Sequence, residues 1–86
     1  MINGQPKNLT ANGAIYAKPC KLKGFYINST TAGTLILKDG GSSGTAISGT
    51  ITPAIGWHFY PADFAVSPYA TIGGTALDVT FVFEPV

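Results

Sequence analysis

Tyr69-Ala70-Thr71-Ile72-Gly73-Gly74-Thr75-Ala76-Leu77-Asp78-Val79-Thr80-Phe81-Val82-Phe83-Glu84 is the stretch that decides the fold class. Leu77, Val79, Phe81 and Phe83 recur at a period of two, with Asp78, Thr80 and Glu84 between them, which is the signature of a strand with one buried face. The Gly73-Gly74 pair offers the positive φ angles of a tight turn, so the segment reads as a β-hairpin whose last strand lines a core.

Working outward, the same grammar repeats along the chain. Gly13–Ala17 reads as a short strand closed by Lys18-Pro19. Residues 21–28 form a second strand, with Gly24 allowing a bulge or a close backbone approach. Ser29–Gly33 reads as a turn, residues 34–39 as a third strand, and Gly40–Gly44 as a flexible connection. Residues 45–52 carry Ile47 and Ile51 on one or two short strands. Ile55–Tyr60 forms an aromatic strand ending at Pro61, and Ala62–Val66 is compatible with strand, loop or a single helical turn. About seven or eight short strands at this spacing predict a small antiparallel β-sandwich, jelly-roll-like or immunoglobulin-like. Residues 1–12, polar and rich in Asn and Gly, read as an extended N-terminal arm, and residues 13–86 as the single sandwich domain.

Composition narrows the function classes. Eighty-six residues bury only roughly 60% of the unfolded surface, so a domain of this size commonly needs assistance. The one cysteine, Cys20, cannot form an intramolecular disulfide, and no Cys/His cluster has zinc-ligand spacing. That leaves oligomerisation or docking onto a partner. Charged residues make up 10% of the chain, against roughly 25% in typical domains, which favours a surface partly covered by protein. The absence of arginine argues against nucleic acid. Residues 1–7 lack the apolar run of a signal peptide, and no stretch approaches a membrane span. The initial Met1 leads to the expectation that a whole gene product is in view, made in a reducing cytoplasm where a lone thiol persists.

Reactive chemistry is sparse. His58 is the only histidine, and no serine or cysteine nucleophile lies beside it in a recognisable motif, so no enzyme, catalytic residue, cofactor or metal site is expected. Cys20 reads as a small buried hydrophobe. Lys18, Lys21 and Lys23 cluster on one segment, either as lysines protecting a strand edge or as a basic patch for an acidic protein. Trp57, Phe59, Tyr60, Phe64 and Tyr69 fill a core, form a protein interface, or offer a platform for sugar rings. The candidate interface residues are Lys18, Lys21, Lys23, Trp57 and Tyr60.

Residues 23–40, Lys-Gly-Phe-Tyr-Ile-Asn-Ser-Thr-Thr-Ala-Gly-Thr-Leu-Ile-Leu-Lys-Asp-Gly, resemble small β-sandwich virion proteins of tailed bacteriophages. So do residues 49–61, Gly-Thr-Ile-Thr-Pro-Ala-Ile-Gly-Trp-His-Phe-Tyr-Pro, and residues 70–80. The resemblance implies a capsid decoration (cement) protein, or a structural module of a head fibre or tail. It further implies the major capsid protein as partner, a homo-oligomer with a trimer favoured, and a place on the outer surface of the phage head. The alternative is a receptor- or glycan-binding module of a fibre or tail, with a cell-surface glycan as partner.

Overall fold

A computed structural model describes residues 4–85. The chain is all-β. Its elements are β1 (Gln5–Leu9), β2 (Gly13–Ala14), β3 (Cys20–Asp39), β4 (Thr45–Ala46), β5 (Gly56–Phe64) and β6 (Pro68–Pro85). All pairings are antiparallel.

Two expected turns are strand instead. Gly73-Gly74 lies inside β6 and Ser29–Gly33 inside β3, and the two segments face each other: Thr31 pairs with Ala76, Gly33 with Gly74, and Thr34 with Gly73. Two turn signals in register reinforce one bend in a continuous ladder, so each expected pair of short strands fuses into one long strand. Among the described residues, six strands, two of them long, therefore stand where seven or eight short ones were expected.

The bend has local causes. Gly74 takes φ +74°, and a Cβ there would collide with the Ala32 carbonyl oxygen. Ala32 itself has φ +51°. A Cβ on Gly33 would come within 2.5 Å of the Ala76 carbonyl oxygen. The register also slips between Ile27 and Ser29, inserting an extra residue that kinks the strand and increases its twist.

The bend folds the sheet onto itself. β3 pairs along its whole length with β6, from Cys20↔Pro85 to Asp39↔Pro68. The first half of β3 also pairs with β5, and the second half of β6 with β1. These four segments make layer one. The second half of β3 with β4, and the first half of β6 with β2, make layer two. A bridge between Leu35 and Ile51 extends layer two. Tyr16, just after β2, packs against Phe83 of layer one in a tilted pair, 4.9 Å between ring centroids. The molecule measures 33 × 31 × 17 Å, and its short dimension fits two sheets packed about 10 Å apart.

The core lies between the layers. Leu77, Val79, Phe81 and Phe83 are buried, as their alternation predicts, together with Leu22, Phe25, Ile27, Leu35 and Leu37. Leu22 and Phe25 both point inward because the register shifts between Leu22 and Gly24. Phe25 and Phe81 meet in a tilted pair at 5.9 Å, an arrangement aromatic quadrupoles favour.

The stretch read as an N-terminal arm is extended from Gln5 to Leu9, and there it forms an edge strand hydrogen-bonded to β6. Residues 1–3 of that stretch, and Val86, lie outside the described residues.

Candidate binding face

The outward face of layer one follows from strand alternation and register. Along β5, Trp57, Phe59, Pro61 and Asp63 are exposed while His58, Tyr60 and Ala62 are half-buried and Phe64 is buried. Pairing across β3 and β6 then places outward residues in rows. One row is Glu84, Lys21, Asp63. The next is Val82, Gly24, Phe59, and the third is Thr80, Tyr26, Trp57. Three aromatic rings therefore share an open surface, with Phe59 75% and Trp57 48% exposed.

Gly24 makes room for them. A Cβ there would lie 2.8–2.9 Å from the Trp57 ring and would strike the His58 carbonyl oxygen. The indole thus rests against bare backbone, an aromatic covering a glycine across a strand pair. Next to the rings lies a concavity of about 460 Å³, walled by Lys21, Lys23, Phe59, Pro61, Asp63 and Glu84. Two lysines face two carboxylates there, so of the two readings of the lysine cluster the basic patch is not favoured at this point.

A polar ladder crosses the same face. Asn8 Nδ2 donates to Asp78 Oδ1 at 2.7 Å and to Thr80 Oγ1 at 3.2 Å. From the other side, Asn28 Nδ2 donates to the same two oxygens at 3.2 and 2.9 Å. Asp78 and Thr80 thereby tie β1 and β3 to β6 through side chains as well as backbone.

The opposite face, on layer two, is different. Register aligns Ala14, Tyr69, Lys38 and Ala46 in one row, Thr71 with Ile36 in the next, and Gly73 with Thr34 in the third. Lys38 is the one charged residue in these rows, and its Nζ donates to the Ser42 carbonyl at 3.2 Å.

Of the candidate interface residues, Lys21, Lys23 and Trp57 come together on the layer-one face. Lys18 is exposed in the connector between β2 and β3. Tyr60 turns the other way: it packs against the core with its ring 6.3 Å from Phe25. Phe59, its neighbour, takes the exposed position. The sequence grouped Phe59 with the other aromatics but gave no sign of which alternate set faces out, because both sets on β5 are aromatic. Tyr26, Asp63 and Glu84 join the face through cross-strand register, which one-dimensional pattern does not contain.

The remaining reactive groups have structural partners. The His58 ring stacks on Phe25 at 5.2 Å, and its Nε2 is 2.7 Å from the Ala54 carbonyl oxygen. The tautomer with hydrogen on Nε2 donates that bond. The Cys20 thiol is buried, and burial together with the nearby negative charge of Asp39 pushes its pKa up to about 11. Asp39 accepts three backbone hydrogen bonds, from Ala65, Val66 and Ser67, at 3.0–3.1 Å. Desolvation raises its pKa, but the N–H groups of Val66, Ser67 and Ala65 outweigh that and hold it below the usual carboxylate value. Among the described residues, no group of three or more His, Cys, Asp or Glu is arranged to hold a metal ion.

No protein-family model matches the chain, and no curated protein or solved structure matches it significantly.

Proposed function

We propose that this chain is a virion structural protein, a decoration protein that lies on the outer surface of a phage head and reinforces it. It sits with the layer-two face against the major capsid protein, as part of a closed oligomer, a trimer. The observation that carries this reading is the chemistry of that face. Its rows are small, β-branched and aromatic residues, and the single lysine among them is engaged by the Ser42 carbonyl. Depletion of charge at the centre of a contact distinguishes protein interfaces from the rest of a surface. The sequence resemblance supplies the kind of particle, and several copies acting together turn modest contacts into a firm hold.

The alternative class is a glycan- or receptor-binding module of a fibre or tail, favoured by the exposed rings of Trp57 and Phe59 on layer one. The two readings use opposite faces, so they separate cleanly. Virions of the encoding phage are expected to carry the protein, and empty heads are expected to co-sediment with it. Ile36→Glu or Thr71→Lys abolishes that co-sedimentation, while Phe59→Ala leaves it intact. Virions without the protein, or a gene deletion that leaves their heat resistance unchanged, would overturn the proposal.

A further inference from the structure

We infer that the concavity beside Phe59 is a binding site for a neutral saccharide, with Trp57 and Tyr26 extending it to a second sugar ring. The inference stands whether or not the chain is borne on a virion.

Three properties of the site select this ligand. The first is size. A volume of about 460 Å³ falls toward the lower end of the roughly 300–1,000 Å³ typical of small-molecule sites. The second is the pairing of an apolar wall with polar groups of both kinds. Phe59 and Pro61 offer flat apolar surface, and Phe59 is 75% exposed. Asp63 and Glu84 accept hydrogen bonds, while Lys21 and Lys23 donate them. A pyranose ring presents C–H groups on its faces and hydroxyls, which both donate and accept, around its rim. The third is charge. Two lysines against two carboxylates cancel formally, so neither a phosphate or sulfated ligand nor a polycation is complemented, whereas an uncharged polyol is. The charges also argue against a protein partner at this spot, because the centres of protein interfaces are depleted of charged residues.

The aromatic strip gives the site direction. Trp57 and Phe59 are successive outward residues of β5, about 7 Å apart along the strand at the usual rise of about 3.4 Å per residue. The Trp57 ring rests against Gly24 and is about half exposed, so indole surface remains for stacking. A chain of sugar rings lying parallel to β5 would meet Phe59 and then Trp57, with Tyr26 beside the second ring.

Trp57 is the only tryptophan, so intrinsic fluorescence reports on the site directly. The full chain is first screened on an array of neutral glycans, and the best oligosaccharide is then titrated against Trp57 emission, with heparin as an anionic control. The expected result is a saturable change in emission that Phe59→Ala weakens by about tenfold or more, with the melting temperature unchanged, and no response to heparin. Asp63→Asn weakens binding in the same direction. A neutral array without a hit overturns the inference, as does tighter binding of heparin, or a Phe59→Ala variant with undiminished affinity. Concentration-dependent self-association that Phe59→Ala abolishes also overturns it, since the face would then belong to a second copy of the chain.

Discussion

At the scale of single residues, Asp39 binds the two layers at one end of the molecule. It closes β3 in layer two, yet its carboxylate holds the 65–67 connector that leads out of β5 in layer one. Asp39→Ala removes the acceptor of three N–H groups, but Ala65 and Val66 are exposed and water replaces it there, so the expected cost is about 0.5–1.5 kcal/mol. In a domain of this size each kcal/mol lowers the melting temperature by about 4–8 °C. The pH dependence has a definite sign. The folded pKa lies below the unfolded one, so the stabilisation is complete above the unfolded value of about 3.9 and is lost as pH falls through the folded value. Acid titration of stability below about pH 5 is therefore expected to be shallower in Asp39→Asn than in the parent; equal slopes would show that Asp39 contributes nothing there. Cys20, close to Asp39 and buried, has its thiol pKa raised to about 11. Alkylation by iodoacetamide at neutral pH is expected to proceed only through transient opening of the fold, because the attacking species is the thiolate. Rapid labelling of the folded protein would contradict that placement.

At the scale of elements, the bend shared by β3 and β6 is the least replaceable feature. Gly74→Ala forces a side chain into the Ala32 carbonyl at φ +74°. A loss of roughly 2–4 kcal/mol is expected, combining left-handed strain with the collision. Gly49→Ala is the control, since a Cβ there meets nothing within 4 Å, and its effect is expected to stay within about 0.5 kcal/mol. Comparable losses in the two variants would remove the bend from its central role. The same bend marks the limit of what the sequence discloses. The alternation of Leu77, Val79, Phe81 and Phe83 is local, and it gave the buried face correctly. Gly73-Gly74 is a turn signal by every local criterion, and only the segment lying opposite, Ser29–Gly33, makes it a kink in a continuous strand. On β5 the aromatics occupy both faces, so nothing local separated Phe59 from Tyr60. Lys21, Asp63 and Glu84 come together only through register, and so the composition of the binding face was not legible beyond Trp57 and the lysines.

At the scale of the whole molecule, the two layers are not separable bodies, because β3 and β6 run through both. Stability is expected to be lost in one cooperative step, with the fluorescence of Trp57 in layer one and the far-UV dichroism of the entire sheet melting at the same temperature. Two distinct midpoints would mean that the layers unfold independently. The two outer faces divide the surface by chemistry: a charge-poor one on layer two and one on layer one that sets aromatic rings beside lysines and carboxylates. The sheet between them couples their geometry, since a change of twist at the bend reorients both. The continuity of β3 and β6 also bears on how such a chain diverges over time. A residue gained or lost in one long strand turns every side chain beyond that point to the other face, exposing half of the core, unless a bulge absorbs it as those at Leu22/Gly24 and Ile27/Ser29 do in β3. Lineages descended from this sequence can therefore vary their strand length by matched changes on facing sides of the bend, or by one residue where a bulge absorbs it. Otherwise single-residue length variation falls to the connectors, such as residues 52–55, which follow the Leu35–Ile51 bridge.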